Sequence, residues 1–336
     1  MMEQIRFKIS IIIPCRNEEK YIGKCLETIL SQDYPKERIE VLVVDGMSED
    51  KTREIMRSYS EKYPFIKLLE NPRKFTNFAF NIGIKEAKGE VIMLMGAHAG
   101  YEKDYVSKCA LHLIESGADN VGGSIKTLPA KDTLEARAVA YSLSSPFGAA
   151  SDFRVGSKKP KEVDTVFGGC FKKEVFDRVG IFNENLLRSQ DMEFNLRLKK
   201  AGGKILLVPE IISYYYPSSN LKDFLKHNFN DGVWVTYPLK FKIKIFSWRH
   251  LIPLFFVSGL LGLFALSFFF LTAKILFNLF FGSYLLLNLF FSLKIAVKKG
   301  FKYLFVLPVA FVVRHIGYGF GSIFGLIKVL LSKKAS

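Results

Sequence analysis

The chain has 336 residues, enough for one large domain and an appendage. Its formal net charge of +16 points to an anionic partner: a nucleic acid, a phosphorylated substrate or an acidic membrane surface. Four cysteines, Cys15, Cys25, Cys109 and Cys170, form no C-x-x-C pair, which argues against a disulfide framework or a zinc site and for reduced core thiols.

Residues 1–8 are polar and mixed in charge, and the apolar run after them is too short for a signal peptide. That run, Ile9 and Ile11–Ile13, predicts a strand buried on both faces. Pro14 ends its ladder, Asn17 and Glu18 follow in a polar turn, and Ile22, Cys25, Leu26, Ile29 and Leu30 share one helical face. Residues 39–45 repeat the pattern as a buried strand that ends in Asp45. The text DGMSEDKT follows, with Ser48 the expected cap of a helix to about Lys62. Residues 65–69 read as a strand, Thr76 caps a helix to Ala87, and residues 90–95 form the next strand. This alternation predicts an α/β fold, a mostly parallel sheet with helices on both faces. Ligands in such sheets bind beyond the carboxyl ends of the strands. The turn after the first strand and Asp45 therefore edge one crevice, where a carboxylate accepts from a base N–H or a ribose hydroxyl. An Asx turn is the alternative for Asp45. No G-x-G-x-x-G and no P-loop is present, which argues against a dinucleotide enzyme and an NTPase.

Residues 105–115 read as a helix, 120–123 as a short strand and 133–143 as a helix; 144–160 read as a mobile loop that excludes water from the site. Residues 163–171 read as a strand broken at Gly168-Gly169, where paired glycines allow close backbone approach. Ser189 is the expected cap of the following helix, and Gly202-Gly203 end it. On a wheel, Asp191, Phe194, Leu198 and Ala201 share a face, with Glu193, Arg197 and Lys200 opposite. Asp191 is therefore expected to point inward from the first turn; the alternative is an ordinary first-turn acid favoured by the helix dipole. Residues 204–208 and 211–216 close the sheet.

Residues 217–250 alternate aromatics with lysines, as suits an amphipathic segment at a membrane interface. Three apolar runs follow, 251–273, 275–293 and 303–331, each a candidate transmembrane helix. Lys294, Lys298, Lys299 and Lys302, with the basic stretch 240–249, place both ends of the first two spans in the cytoplasm by the positive-inside rule. Because the charge clusters at membrane edges, a nucleic-acid partner is not expected. The expected domains are 1–216, 217–250 and 251–336, in a multi-pass protein of the cell membrane with a cytoplasmic catalytic domain.

The segments PCRNEEKYIGKCLETILSQDYP and IEVLVVDGMSEDKT resemble glycosyltransferase family 2, inverting nucleotide-sugar transferases of GT-A fold. The membrane-attached succinoglycan-type glucosyltransferases are the branch most resembled. The resemblance covers about residues 8–216. It implies that Pro14, Cys15, Arg16, Asn17, Glu18, Asp45 and Ser48 bind the donor nucleotide. Asn81 stands in the family's N-x-G helix, with Phe80 where many members carry arginine. Gly96, Ala97 and His98 stand where the family has Asp-x-Asp or Asp-Ala-His, so the first acid is absent. A divalent cation, Mn²⁺ or Mg²⁺, is the implied cofactor; His98 stands as a ligand, as a plain hydrogen-bonding group, or beside metal-independent stabilisation by Arg or Lys. The Gln190-Asp191 pair matches the family motif whose acid is the general base, with Gly168, Gly169 and Gln190 as the acceptor wall. Processive synthases carry Q-x-x-R-W; here Trp248-Arg249 has the reverse order, which favours addition of one sugar. The resemblance implies a nucleotide-sugar donor and a lipid-linked or saccharide acceptor. The alternatives are a polyprenyl-phosphate sugar synthase and a non-catalytic nucleotide-binding membrane protein.

Overall fold

The computed structural model describes residues 7–148, 151–244 and 248–333. Residues 149–150 of the expected loop, 245–247 of the basic stretch and Lys334 lie outside them. The chain divides into two compact units, one formed by Met1–Lys126 with Gly156–Tyr215, the other by Thr127–Val155 with Tyr216–Ser336.

The first unit opens as a run of β–α pairs: β1 (Ile9–Cys15), α1 (Ile22–Leu30), β2 (Ile39–Asp45), α2 (Thr52–Lys62), β3 (Ile66–Glu70), α3 (Thr76–Glu86) and β4 (Val91–Leu94). These strands lie parallel in the order β3-β2-β1-β4. Ile9, Ile11, Ile12 and Ile13 have no exposed surface, and each such side chain contributes about 1.5–3 kcal/mol on burial. The register sets Ile9 opposite Ile39 and Cys15 opposite Asp45, so β1 and β2 finish level. Their two polar turns are therefore side by side.

The chain continues through β5 (Ala99–Tyr101), α4 (Tyr105–Glu115), β6 (Asn120–Thr127), α5 (Leu134–Leu143), α6 (Asp152–Val155), β7 (Lys161–Glu162), β8 (Cys170–Lys172), α7 (Glu174–Val179), α8 (Gln190–Lys200) and β9 (Ile205–Tyr215). From β4 the sheet runs on as β8-β6-β9-β5, and the β4–β8, β6–β8 and β5–β9 pairs are antiparallel. Residues 163–169 are not the expected strand: Gly168 has φ +66° and Gly169 φ +118°, outside the extended region. The expected strands 204–208 and 211–216 are one continuous strand, β9.

The second unit corrects the expected boundaries, because α5, α6 and residues 144–148 belong with the C-terminal helices. These are α9 (Leu221–Thr236), α10 (Ile252–Leu266), α11 (Leu271–Lys299) and α12 (Leu307–Lys333). Ala138 of α5 packs with Tyr303, Leu307 and Ala310, and Val139 and Leu143 pack with Phe224. The expected interfacial segment carries α9, which lies tightly against α12. A Cβ on Gly321 would stand 2.0 Å from the Phe229 carbonyl oxygen, and one on Gly232 2.0 Å from that of Tyr318. Gly317, Gly321 and Gly325, one turn apart, are thus the face on which two backbones meet. Thr236 Oγ1 donates to the Ser322 carbonyl across the same face at 2.8 Å.

Among the described residues, three segments are long and apolar enough to cross a membrane: Trp248–Leu266, Leu271–Lys299 and Phe301–Ser332. The first break falls at Ser267 rather than at Lys274, and the Ser267 hydroxyl takes the Phe264 carbonyl at 2.6 Å. Arg314 and His315 of α12 are satisfied by protein. Arg314 Nη1 donates to Asn228 Oδ1 at 2.8 Å and its Nε to the Gly148 carbonyl; His315 Nε2 meets the Phe147 carbonyl at 2.8 Å and its Nδ1 Tyr284 Oη at 3.1 Å. The Phe147 ring stacks on Phe291 with centroids 5.0 Å apart. Residues 147–148 are therefore anchored, and the start of the expected mobile loop is a docked segment.

Candidate active site

The turns after β1 and β2 are held together through main-chain groups. Asn17 N donates to Ser48 Oγ at 2.9 Å, Glu49 N to Asn17 Oδ1 at 2.9 Å, and Glu18 N to Thr52 Oγ1 at 2.7 Å. Ser48 is therefore an acceptor for the neighbouring turn and not a helix cap. Asn17 (φ 54°) and Met47 (φ 59°) are left-handed, a strained geometry for residues with a Cβ that is maintained by this lacing.

Asp45 has no exposed surface. Ser48 N lies 3.2 Å from both carboxylate oxygens, and Arg53 Nε is also 3.2 Å away. The Arg53 approach is off-line for a hydrogen bond, so the contact is an ion pair. Asp45 thus forms the Asx-type turn, and its carboxylate is turned into the protein rather than to the crevice. Cys15 is buried beside it. Burial first, then the charges of Glu18 and Asp45, pushes its thiol far above the ordinary range. It remains protonated and provides no nucleophile. Pro14 is half-buried and Arg16 exposed.

The turn after β4 is the third component. Gly96 N donates to Tyr101 Oη at 2.7 Å, and Cys25 Sγ meets the Gly96 carbonyl at 3.5 Å. Burial, then the neighbouring Cys25, raises the Tyr101 phenol well above its ordinary value, so it stays neutral. Ala97 is buried. His98 Nδ1 lies 3.0 Å from Glu18 Oε1, joining the β4 turn to the β1 turn. Rings of Tyr21 and Tyr215 flank the imidazole at 6.3 and 5.9 Å. Among the described residues no three His, Cys, Asp or Glu side chains converge. The site therefore offers an imidazole–carboxylate pair, which fits a cation only where substrate oxygens and water complete its shell.

Gly168 and Gly169 lie against the end of β4. Leu94 N donates to the Gly169 carbonyl at 2.9 Å, and a Cβ on Gly168 would stand 2.3 Å from the Leu94 carbonyl oxygen. Their freedom is used for backbone packing beside Gly96. Helix α8 is tied to this segment by Asn195, whose Nδ2 donates to Thr165 Oγ1 at 2.9 Å and whose Oδ1 accepts from Asn120 Nδ2 at 3.2 Å.

Two expectations about α8 are corrected. Ser189 does not cap it through its side chain; it sits left-handed at φ 57°. Asp191 is exposed, not aimed into the core, while Glu193 is 6% exposed. The cause is Arg197, which donates to the carbonyls of Val179 and Ile181 and to both oxygens of Glu193, at 2.6 and 3.0 Å for the latter. The half-buried guanidinium takes Glu193 as its counter-ion, which keeps that acid inside the fold, while Asp191 in the first turn stays exposed. Gln190 is half-buried at the start of the helix. Asn81 is spent inside the fold: its amide both donates to the Phe182 carbonyl and accepts from Phe182 N, each at 2.9 Å. Phe80 packs on the Phe182 ring at 5.2 Å. The turn-holding roles of Thr52, Tyr101 and Asn195 were not foreseen. Only Thr52, a hydroxyl in a polar turn, carries a local signal.

Residues 10–179 match the family described as Glycosyl transferase family 2. A dolichyl N-acetyl-alpha-D-glucosaminyl phosphate 3-beta-D-2,3-diacetamido-2,3-dideoxy-beta-D-glucuronosyltransferase of Methanococcus voltae is 32% identical over 327 residues, 95% of this chain and 97% of the relative. The succinoglycan biosynthesis protein ExoA of Rhizobium meliloti is 27% identical, over 72% of this chain and 80% of its own. In fold, the chain is similar to the mannosyltransferase PcManGT of Pyrobaculum calidifontis, solved with GDP-Man and Mn²⁺. The TM-score is 0.61 at 19% identity, covering 93% of this chain and 87% of that one. The chain belongs to glycosyl transferase family 2 and is a glycosyltransferase with the GT-A fold.

Proposed function

We propose that the protein moves one sugar from a nucleotide-diphosphate sugar to a lipid-linked acceptor at the cytoplasmic face of a membrane, with inversion at the anomeric carbon. The observation that carries this reading is the meeting of three polar turns at the carboxyl ends of β1, β2 and β4, joined by the Asn17–Ser48 and Glu18–His98 contacts. That is where an open α/β sheet receives a nucleotide. Arg16, Asn17 and the Gly46–Ser48 turn are the groups offered to the nucleoside, with Asp45 acting through the turn. The Pyrobaculum calidifontis mannosyltransferase, solved with GDP-Man, supports this type of donor. The name of the Methanococcus voltae relative supports a polyprenyl-linked acceptor. The three apolar helices, with lysines at 294, 298, 299 and 302, support the membrane and its orientation.

Asp191 is the base. It is exposed, so an acceptor hydroxyl reaches it from outside the fold, whereas Glu193 on the same turn is buried and paired with Arg197. The acceptor O–H gives its proton to Asp191 as the oxygen bonds to the anomeric carbon. The bond from that carbon to the diphosphate breaks, and the nucleoside diphosphate leaves with the electron pair. One carboxylate suffices, and no protein nucleophile is needed. When bound, Mn²⁺ or Mg²⁺ would neutralise the leaving diphosphate; His98 is the side chain on the β4 turn that would hold it.

The test is transfer from a panel of nucleotide-sugars to polyprenyl-linked sugar acceptors and to bare polyprenyl phosphate, in reconstituted membranes. Inverted product on the sugar-bearing acceptor, abolished by Asp191→Asn, is expected. Transfer to polyprenyl phosphate alone, indifferent to that substitution, would sink the reading.

A further inference from the structure

The turn after β4 carries an imidazole and no carboxylate of its own. We infer that Glu18, from the turn after β1, supplies that carboxylate: Glu18 and His98 are together the protein's ligands to a divalent cation, whose remaining positions belong to diphosphate oxygens and water. This rests on the proposed nucleotide-diphosphate donor.

Glu18 Oε1 and His98 Nδ1 are 3.0 Å apart. Two donors about 2.1 Å from one cation, at a right angle, stand about 3.0 Å from each other. The separation therefore matches one edge of an octahedral shell. A small number of protein ligands completed by substrate phosphate and water is how such cations are held in phosphate-handling sites. An imidazole beside a carboxylate suits Mn²⁺ better than Mg²⁺. Both groups are reachable, the His98 side chain 43% and the Glu18 side chain 20% exposed. The Glu18 turn does not depend on its carboxylate. It is held by Glu18 N to Thr52 Oγ1 and by the Glu18 carbonyl, which accepts from Tyr21 N and Ile22 N at 2.9 Å each.

Glycine at position 96 is not demanded by the backbone. A Cβ there would meet Ala99 Cβ at 3.8 Å and Phe167 Cζ at 3.9 Å, both ordinary contacts. A carboxylate can therefore be installed beside His98 in trial, which makes the assignment to Glu18 testable by transplantation.

The experiment is electron paramagnetic resonance of Mn²⁺, alone and with UDP or GDP, on the full chain in detergent. The decisive variant is Glu18→Gln. Its amide oxygen still accepts from a protonated Nδ1, so a carboxylate that only orients the ring is replaced without loss, while an anionic ligand is removed. Glu18→Gln is expected to raise the Mn²⁺ Kd at least about tenfold, as is His98→Ala. The nitrogen coupling of a bound imidazole should be present in the parent and absent in His98→Ala. Gly96→Asp, added to Glu18→Gln, should bring the Kd back toward the parent value. A Glu18→Gln affinity within twofold of the parent overturns the inference, and so does parent-bound Mn²⁺ without histidine coupling. If Mn²⁺ depends on both residues yet no nucleotide-sugar is turned over, the donor reading fails and the ligand assignment stands.

Discussion

The two units use polar side chains in opposite ways. In the helical unit they are consumed by protein: Asn228 has no exposed surface and accepts from Arg314, whose guanidinium also takes the Gly148 carbonyl, and His315 is held at both ring nitrogens. At the ends of β1 and β4 the main chain does the holding, and the His98 side chain, paired with Glu18, stays exposed. The difference separates groups that secure a fold from groups proposed to handle a ligand. It also re-sorts the sheet unit itself, since Asp45 and Asn81 are buried and bonded inside the fold, whereas Glu18 and His98 pair with each other and both stay partly exposed.

Substitutions test this division, and the largest effect is expected at the proposed base. Asp191→Asn should lower the transfer rate about 10²–10⁴-fold, the usual contribution of a positioned base, with a smaller change in melting temperature than a substitution at the buried Glu193. Glu193→Gln should do the reverse, lowering the melting temperature by leaving Arg197 without its buried counter-ion. Steady-state rates and thermal unfolding of the two variants, side by side, check both halves.

Next in size is the glycine face of the helical unit. Gly321→Val should destabilise that unit by about 1–3 kcal/mol or more, because the added carbon meets backbone, which cannot give way as a side chain does. Gly282→Val on α11, where a Cβ has nothing within 4 Å, should be nearly silent. Thermal unfolding in detergent distinguishes them; equal losses would mean that the α9–α12 approach is not what the glycines serve. Arg314→Met comes third, at about 1–3 kcal/mol, the cost of leaving buried acceptors on Asn228 and Gly148 without a donor. It should leave nucleotide-induced stabilisation of the sheet unit intact.

The parallel half of the sheet was legible because strands buried on both faces are written as continuous apolar runs, as at residues 9–13 and 39–44. The antiparallel half was not. β8 is three residues long, and the glycines before it are fixed by the proximity of β4, a partner about seventy residues away in sequence. On α8, Phe194 and Leu198 are buried as the wheel expects, but the two acids were misread for a related reason. A wheel counts Glu193 and Arg197 as solvated, whereas two carbonyls at the end of α7 and in the residue run after it draw the guanidinium, and with it the acid, inside. The transfer of α5 to the helical unit had no local mark, since half of its buried residues are alanines. Of the site, the residues of the three turns were legible by type and position; what was not legible is which of them face inward, because that depends on contacts between turns.

The smallest predicted effect concerns the residue that introduces the proposed base. Ser189 is left-handed at φ 57°, immediately before Gln190 and Asp191, and its carbonyl accepts the first helical bond from Glu193 N at 3.3 Å. A residue with a Cβ held there stores about 1–2 kcal/mol. Glycine relieves that strain but adds about 0.5–1 kcal/mol of chain entropy to the unfolded state. Ser189→Gly should therefore gain up to about 1 kcal/mol of stability, seen as a small rise in melting temperature. If the strained turn sets the direction of Asp191, the same variant should lose a few-fold in kcat with little change in KM for the donor, because the nucleotide turns lie on other strands. Ser189→Val, whose branched side chain tolerates this conformation least, should lose stability. A Ser189→Gly protein that melts lower than the parent would show that the turn is not strained, and the left-handed residue would then be a plain connector.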